Sequence, residues 1–353
     1  MNSKIKKILL ILFCLIIVII SALVILFFNE IRSLCSLKKI DDYGMYQMTY
    51  YGDYGFDEFL KTGAKSDKDI EKFVTKRLLK GLPININVEK GGCTAFVTRN
   101  EKDEIIYGRN FDFKYAPSVQ VYTKPDNGYA SVSTVNLAFA GYSENNLPKE
   151  GISFSNFLTL AAPYLPFDGL NEKGVAIALL AVPEADGGND SSKVTLNTTT
   201  AIRLVLDKAD SVDKAISLMN EYNIYFSGDV ECHYLIADST GNSVIVEFYD
   251  GAMQVVKSDN DYQIASNFIA YNGLNIGEGF SEFERYDKVK EEIENNQHRL
   301  SEMQAVKLLA NIGVNYENVD KLQWTVVYNL TTGNGKIFAH RKIDKITEFH
   351  IDL

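Results

Sequence analysis

The chain has 353 residues and a formal net charge of −10, with 46 acidic against 36 basic side chains. Phosphate binding depends on lysine and arginine, so this balance argues against nucleic acid or an anionic lipid surface as the main partner. The length allows two average domains, but residues 93–353 suffice for one large sandwich, which is the simpler interpretation.

The N-terminus carries the uncharged run Ile8–Phe28, close to the roughly 20 residues that a helix needs to cross the hydrocarbon layer. Lysines precede the run and favour an N-terminus inside, although Arg32 and two further lysines soon follow it. We therefore expect residues 1–42 to be a single-pass signal anchor in the cell membrane, with the rest of the chain outside. The alternative is a cleaved leader and a secreted protein, but the run exceeds a typical signal-peptide core.

Residues 43–92 are expected to form a pro-region or a docked small subunit. The stretch Asp41–Gly55 is rich in tyrosine, glycine and aspartate, which indicates an extended segment lying on another part of the molecule. One amphipathic helix follows, and Ser66 with Asp69 forms a capping box at its start. Its apolar face repeats at helical spacing and consists of Ile70, Phe73, Val74 and Leu78. Gly81 and Pro83 end it. A segment this short cannot bury its own apolar face. An ordinary linker with a helix is the alternative.

From Cys93 onward the periodicity is that of strands. Thr94–Thr98 and Glu104–Phe111 predict a hairpin, and further strands are predicted at residues 118–122, 130–140, 174–182, 233–237, 243–248, 323–329 and 335–340. Helices are predicted at about residues 198–209, 211–221, 281–295 and 301–312, the last with a capping box of Ser301 and Gln304. Strand hairpins interrupted by paired helices predict an α+β fold, a four-layer αββα sandwich of two antiparallel sheets between helices.

The four cysteines are too few and too scattered for a disulfide framework. Cys14 and Cys35 belong to the apolar run and its flank, which leaves Cys93 and Cys232. There is no CxxC pair and the four histidines are far apart in sequence, so we predict no metal site and no cofactor.

The first hairpin places charged groups beside a thiol. Folding it about residue 101 or 102 brings the segment around Arg109 and Asn110 across from Cys93. Together with Asp112, these residues interrupt an apolar strand with a guanidinium, an amide and a carboxylate, which is unfavourable unless each finds a partner. A plain ion pair of Arg109 and Asp112 at a sheet edge is the alternative.

A catalytic thiol needs a base, because its ordinary pKa of about 8.5 leaves little thiolate at neutral pH. His233 is the histidine best placed by its strand context. The other conceivable base is the α-amine of Cys93 itself, which exists only if the Gly92–Cys93 bond is cut. Gly91 and Gly92 give the backbone room to contort during such a cut.

The residues Cys93-Thr94-Ala95 and Gly108-Arg109-Asn110-Phe111-Asp112 resemble the N-terminal-nucleophile linear amide hydrolases, with the arginine and aspartate at the family's spacing after the nucleophile. This family includes choloylglycine hydrolases and penicillin V acylases and is related to acid ceramidase and N-acylethanolamine amidase. The resemblance continues through later segments to the closing strand, at 168–174, 233–238, 241–247, 266–267, 283–285 and 324–328. It implies the αββα fold already predicted.

The resemblance also implies roles for individual residues. Cys93 would attack the amide carbon, its free amine would act as general acid and base held by Asp112, and Arg109 would favour the thiolate. Asn267 matches the side-chain donor of the oxyanion hole.

Two further positions match the family's active site. The backbone N–H of Ala181 corresponds to the second oxyanion donor, at a position where bile salt hydrolases carry asparagine. Arg285 matches the family's second active-site arginine, with an ordinary helix-surface arginine between Glu282 and Glu284 as the alternative.

The resemblance implies a cysteine amidase that hydrolyses small-molecule N-acyl amides and is activated by self-cleavage at Gly92–Cys93. Acyl transfer from the same acyl-enzyme to an amine is one alternative, and a non-catalytic, membrane-anchored binding protein is another. The expected partners are the substrate, the membrane through the N-terminal helix and the chain's own N-terminal fragment. A homo-oligomer is left open, and nucleic acid is not expected.

Overall fold

The computed structural model describes residues 3–151, 153–279, 281–316 and 319–353. Its helices are α1 (Ser3–Leu26), α2 (Phe28–Cys35), α3 (Phe56–Thr62), α4 (Asp67–Arg77), α5 (Thr198–Lys208), α6 (Val212–Met219), α7 (Ser281–Asn295) and α8 (Glu302–Ile312). Short 3₁₀ segments lie at Leu137–Ala140, Phe154–Tyr164, Ser227–Asp229 and Tyr271–Gly273.

The strands are β1 (Lys38–Lys39), β2 (Met45–Tyr50), β3 (Gly92–Arg99), β4 (Ile105–Asp112), β5 (Ser118–Thr123), β6 (Ser131–Asn136), β7 (Pro166–Asn171), β8 (Ala176–Ala181), β9 (Val194–Asn197), β10 (Tyr222–Tyr225), β11 (Cys232–Ala237), β12 (Ser243–Tyr249), β13 (Ala252–Val256), β14 (Gln263–Ala265), β15 (Phe268–Ile269), β16 (Ile276–Gly277), β17 (Asn315–Tyr316), β18 (Val319–Asp320), β19 (Leu322–Asn329), β20 (Asn334–Ala339) and β21 (Thr347–His350).

Two sheets stack face to face and each is covered by a helix pair, which gives the predicted αββα sandwich. One sheet has the strand order β1-β2-β5-β6-β7-β8-β11-β12-β13 and packs against α5 and α6. The other has the order β14-β3-β4-β19-β20-β21 and packs against α7 and α8. Neighbouring strands in both sheets are antiparallel except β2 and β5, which run parallel.

The inner faces of the sheets are apolar and are joined by a few buried polar contacts. Asp168 of β7 accepts hydrogen bonds from Trp324 Nε1 at 3.0 Å and from the Tyr328 hydroxyl at 2.8 Å, both on β19 of the opposite sheet. The hydroxyl of Tyr107 donates to Leu235 O at 3.0 Å. These contacts fix how one sheet lies on the other and therefore how β3 and β4 face β8.

The segment before Cys93 is packed into the body of the molecule. The extended stretch predicted near residue 50 is the strand β2, which lies along β5 over its whole length. Helix α4 begins at the predicted cap, where Ser66 accepts a hydrogen bond from Asp69 N, and buries Ile70 and Val74. Tyr54 is fully buried, and its hydroxyl donates to both carboxylate oxygens of Asp207 at 2.7 and 2.8 Å.

All side chains of helix α1 whose burial is described are exposed. Within the described residues, Lys4–Leu26 is the one helix that is long and apolar enough to cross a membrane, by length and composition alone.

One predicted strand was too long, and several strands, β7 among them, were not predicted. The strand predicted over 130–140 ends at Asn136, because the Asn136 side chain accepts the N–H of Ala138 at 2.9 Å and begins a 3₁₀ turn. Strand β7 was not predicted, because the polar residues Asp168 and Asn171 interrupt its apolar pattern although both are fully buried.

Candidate active site

Cys93 is the second residue of β3, and its side chain points between the two sheets with 1% of its surface exposed. The hairpin is centred on Lys102, so Phe111 lies directly across from Cys93, next to Arg109 and Asn110 in the segment that was expected there. Because side chains alternate along a strand, Arg109 still shares the inner face with Cys93, whereas Asp112 faces the α7–α8 side next to Gly92.

Arg109 is fully buried beside the thiol. Its Nη2 donates to Cys93 Sγ at 3.6 Å and to Leu179 O at 3.4 Å. Its Nη1 lies 3.3 Å from Asp168 Oδ2, an ion pair between two side chains with no exposed surface. The buried guanidinium is therefore neutralised by a carboxylate of the opposite sheet while one of its N–H groups faces the sulfur.

Burial raises the pKa of the Cys93 thiol above its ordinary value. The nearby positive charge of Arg109 lowers this pKa, the carboxylate of Asp112 raises it, and Arg285 and the backbone N–H of Ala181 lower it. The net direction is upward, so the thiol is protonated at neutral pH in the intact chain.

Asp112 is buried at the Gly92–Cys93 junction. Its Oδ1 accepts the N–H of Val314 at 2.8 Å, whereas its Oδ2 has no hydrogen-bond partner and lies 3.9 Å from Arg285 Nη1. Burial raises the pKa of Asp112 to about 6, although Arg285 and the Val314 N–H act in the opposite direction. A buried carboxylate oxygen without a donor is costly, and it marks a place where a further donor would be stabilised.

Asn267 and Arg285 hold the backbone of Cys93. Cys93 N donates to Asn267 Oδ1 at 2.7 Å, and Asn267 Nδ2 donates to Ala181 O at 2.8 Å. Arg285 Nη2 donates to Asn267 Oδ1 at 2.8 Å, and Nη1 donates to Cys93 O and to Thr94 Oγ1. Arg285 lies on α7 with only 6% of its surface exposed, so it points into the site and not into solvent.

A pocket of about 350 Å³ adjoins the junction. Its lining includes Gly91, Gly92, Asp112, Asn267 and Arg285. The six positions proposed from the sequence are connected by direct contacts around Cys93.

His233 and Cys232 take other positions. His233 Nδ1 is hydrogen-bonded to Glu247 Oε1 at 2.8 Å, so this ring nitrogen faces a carboxylate and not the thiol. Cys232 lies on the opposite face of β11, and burial raises its pKa to about 12, as expected for an unreactive core thiol.

Sequence reasoning did not single out Asp168 or Glu247 as parts of the site. Both are acids inside apolar strands, and a buried charge in such a strand was the available signal. Within the described residues, no three His, Cys, Asp or Glu side chains are grouped in a way that could hold a metal ion.

Residues 93–313 match the family model described as linear amide C–N hydrolases, choloylglycine hydrolase family. A penicillin V acylase from Pectobacterium atrosepticum is 33% identical over 111 residues, which cover 28% of this chain and 29% of that protein. The alignment therefore spans less than a third of the relative's length.

Two solved structures have the same fold. A mutant of the conjugated bile acid hydrolase from Clostridium perfringens has a TM-score of 0.52 at 16% identity and covers 74% of this chain and 92% of its own. The penicillin V acylase from Agrobacterium tumefaciens has a TM-score of 0.50 at 17% identity and covers 70% of this chain and 83% of its own.

Proposed function

Because the chain belongs to the choloylglycine hydrolase family of linear amide C–N hydrolases, we propose that it hydrolyses N-acyl amides with Cys93 as a self-released N-terminal nucleophile. The observation that carries this proposal is the convergence of the proposed site groups on Cys93. The Gly92–Cys93 junction is the point where the thiol, the Asn267 amide, the Arg285 guanidinium and the unpartnered oxygen of Asp112 meet.

Self-cleavage begins with attack of Cys93 Sγ on the carbonyl carbon of Gly92. The C–N bond breaks, a thioester forms on sulfur, and the former amide nitrogen becomes the α-amine of Cys93. Water then hydrolyses the thioester, which leaves a carboxylate on Gly92 and a free thiol on Cys93. The absence of a side chain at Gly92, where an added Cβ would lie 3.3 Å from Asp112 Cβ, supports this site of cleavage.

In the cleaved enzyme the new amine takes the proton of the thiol and later returns it to the leaving amine. Asp112 accepts a hydrogen bond from this amine, which satisfies the oxygen that lacks a donor in the intact chain. Arg109 stabilises the thiolate as it forms, because its Nη2 already faces Sγ.

The oxyanion of the tetrahedral intermediate is stabilised by Asn267 Nδ2 and the backbone N–H of Ala181. Their proximity supports this role, since Asn267 Nδ2 bonds to Ala181 O and the Ala181 N–H faces the thiol. The methyl group of Ala181, where bile salt hydrolases carry asparagine, supports a substrate other than a standard bile salt.

The test is N-terminal sequencing and intact mass measurement of the purified full chain. We expect a large fragment that starts at Cys93, and we expect Cys93→Ala to stay full length. Cys232→Ala is the matched control, because it removes the other buried thiol and should be cleaved like the wild type. A wild-type chain that remains uncut yet hydrolyses amides at full rate would refute the mechanism. The base would then have to be a histidine.

Two other functions are tested in the same preparation. Product analysis with penicillin V and a conjugated bile acid, with and without an added amine, separates hydrolysis from acyl transfer. An uncleaved chain with an unreactive Cys93 would instead favour a binding protein.

We further propose that α1 is a signal anchor, that residues 93–353 form the catalytic domain outside the membrane, and that residues 43–92 remain attached to it as a small subunit. The apolar length of Lys4–Leu26 and the packing of β2 on β5 support this arrangement. Protease accessibility of a C-terminal tag on intact cells tests the orientation, and an inaccessible tag would contradict it.

A further inference from the structure

Glu247 is a buried carboxylate that the proposed mechanism does not use. It lies on β12 with no exposed surface, and its Oε1 accepts hydrogen bonds from His233 Nδ1 at 2.8 Å and from Ala270 N at 2.9 Å. Its Oε2 accepts the N–H of Tyr271 at 2.9 Å. Burial acts to raise the pKa of Glu247, but the hydrogen bonds from His233 and the two backbone N–H groups hold this pKa below its ordinary value.

The chain segment that Glu247 binds crosses from one sheet to the other. It leaves the six-stranded sheet at β14, where Ala265 pairs with Ala95 on the strand of Cys93. It reaches the nine-stranded sheet at Ala270 and Tyr271, which Glu247 binds. Asn267 lies between these two attachments.

The two attachments flank Asn267, which also makes side-chain contacts of its own. Its side chain bonds Cys93 N, Arg285 and Ala181 O at distances of 2.7 to 2.8 Å. Residues 272–275 are exposed and include positive φ angles of 50° at Asn272 and 51° at Asn275. The chain then returns as β16, which pairs with β15. The carboxylate of Glu247 is therefore the buried side chain that holds the segment just before this exposed turn.

We propose that Glu247, oriented by His233, is a positioning residue that holds Asn267 at the distance at which its amide serves the Cys93 reaction. This inference rests on the proposed function of Asn267. The Glu247 carboxylate acts by fixing the backbone N–H groups of Ala270 and Tyr271. His233 donates the third hydrogen bond to this carboxylate and keeps it in place.

A double-mutant cycle in the full-length protein tests the proposal. The variants are Glu247→Gln, Asn267→Ala and the combination, and the two readouts are the time course of cleavage at Gly92–Cys93 and the hydrolysis of penicillin V. Asn267→Ala should lower kcat by roughly 10²–10³. Glu247→Gln should lower kcat by roughly 10- to 100-fold with KM within about twofold, because a misplaced group loses transition-state stabilisation.

The combined variant should be no slower than Asn267→Ala, within about twofold, because Glu247 has nothing left to position. The matched control is Asp238→Asn at the other end of the same hairpin. Asp238 is also buried and accepts the N–H groups of Val212 and Thr240, so its loss should lower the melting temperature and leave kcat unchanged. If Glu247→Gln does not fold, Glu247→Asp replaces it with the same expected coupling.

The outcomes separate the inference from its premise. A wild type that neither cleaves nor hydrolyses overturns the proposed function and this inference with it. A working wild type in which the two losses multiply, or in which Asp238→Asn slows turnover as much as Glu247→Gln, overturns this inference alone. If penicillin V is not a substrate, the cleavage time course decides between these outcomes.

Discussion

After cleavage, residues 1–92 should stay bound to the catalytic part without a covalent link. Strand β2 pairs with β5 along six residues, and the fragment buries an apolar set of which each member is at most 2% exposed, namely Tyr54, Phe56, Phe59, Ile70, Val74, Leu78 and Leu79. Full burial of one such side chain contributes roughly 1.5–3 kcal/mol, and association costs roughly 4–15 kcal/mol. The seven side chains together contribute roughly 10–20 kcal/mol, which is comparable to or larger than this cost, so we expect the fragment to stay bound.

Phe59→Ala probes this interface directly. The Phe59 ring is fully buried and lies 5.4 Å from the ring of Tyr164 in the catalytic part. Truncating a buried phenylalanine to alanine costs roughly 3–5 kcal/mol. The fragments should therefore separate with a Kd weaker by roughly 10²–10³-fold or more.

The assay is a pull-down through an N-terminal tag in mild detergent, with the release of the large fragment followed after dilution. Lys61→Ala is the matched control, because this side chain lies exposed on the same helix and its loss should not change retention. Complete separation of the wild-type fragments, with the activity in the soluble fraction, would show that residues 43–92 are a disposable leader and that the burial argument is wrong.

Three further predictions concern the site. Asp112→Asn should lose far more turnover than stability, measured by kcat and melting temperature, because it removes the carboxylate that holds the catalytic amine. Arg109→Ala should raise the pKa of the Cys93 thiol, and an unchanged pH profile of iodoacetamide labelling would assign Arg109 to structure alone. Burial raises the pKa of Asp112 from 3.8 to about 6. Between these two pH values the folded chain therefore keeps a proton on Asp112 that the unfolded chain has lost. In uncleaved Cys93→Ala protein, the free energy of unfolding should therefore fall by about 3 kcal/mol as the pH rises through this interval, and Asp112→Asn should remove that part of the slope.

The sequence predicted the layers of the fold and the proximity of Cys93, Arg109 and Asp112, because both depend on local signals. The positions Asn267, Ala181 and Arg285 were expected at the site only from the resemblance to the family. Strand alternation, helix caps and the short hairpin after Cys93 are set by neighbouring residues, and the hairpin register was predicted to within a residue or two. The proximity of Arg109 to Cys93 was expected from this hairpin, and the resemblance to the family implied it as well.

The contacts that were not predicted join residues far apart in the chain. Nothing near β2 in the sequence specifies that it runs parallel to β5. The same holds for Asp168, whose partners Trp324 and Tyr328 lie on the other sheet, and for Glu247, whose backbone partners Ala270 and Tyr271 lie in a connecting segment. In each case the sequence shows a polar or extended residue that needs a partner, but only the packed sheets identify that partner.

The parallel pairing of β2 has a consequence for the behaviour of the protein in solution. Without β2, the backbone N–H and C=O groups of β5 would form an open sheet edge along Ser118–Thr123, a segment that carries no charge. Such an edge is a template on which another chain can add a strand, and it promotes aggregation. The small fragment thus also protects this sheet edge and prevents neighbouring molecules from pairing along it. Conditions that dissociate the fragment should therefore produce insoluble β-rich aggregates before they produce a soluble catalytic domain.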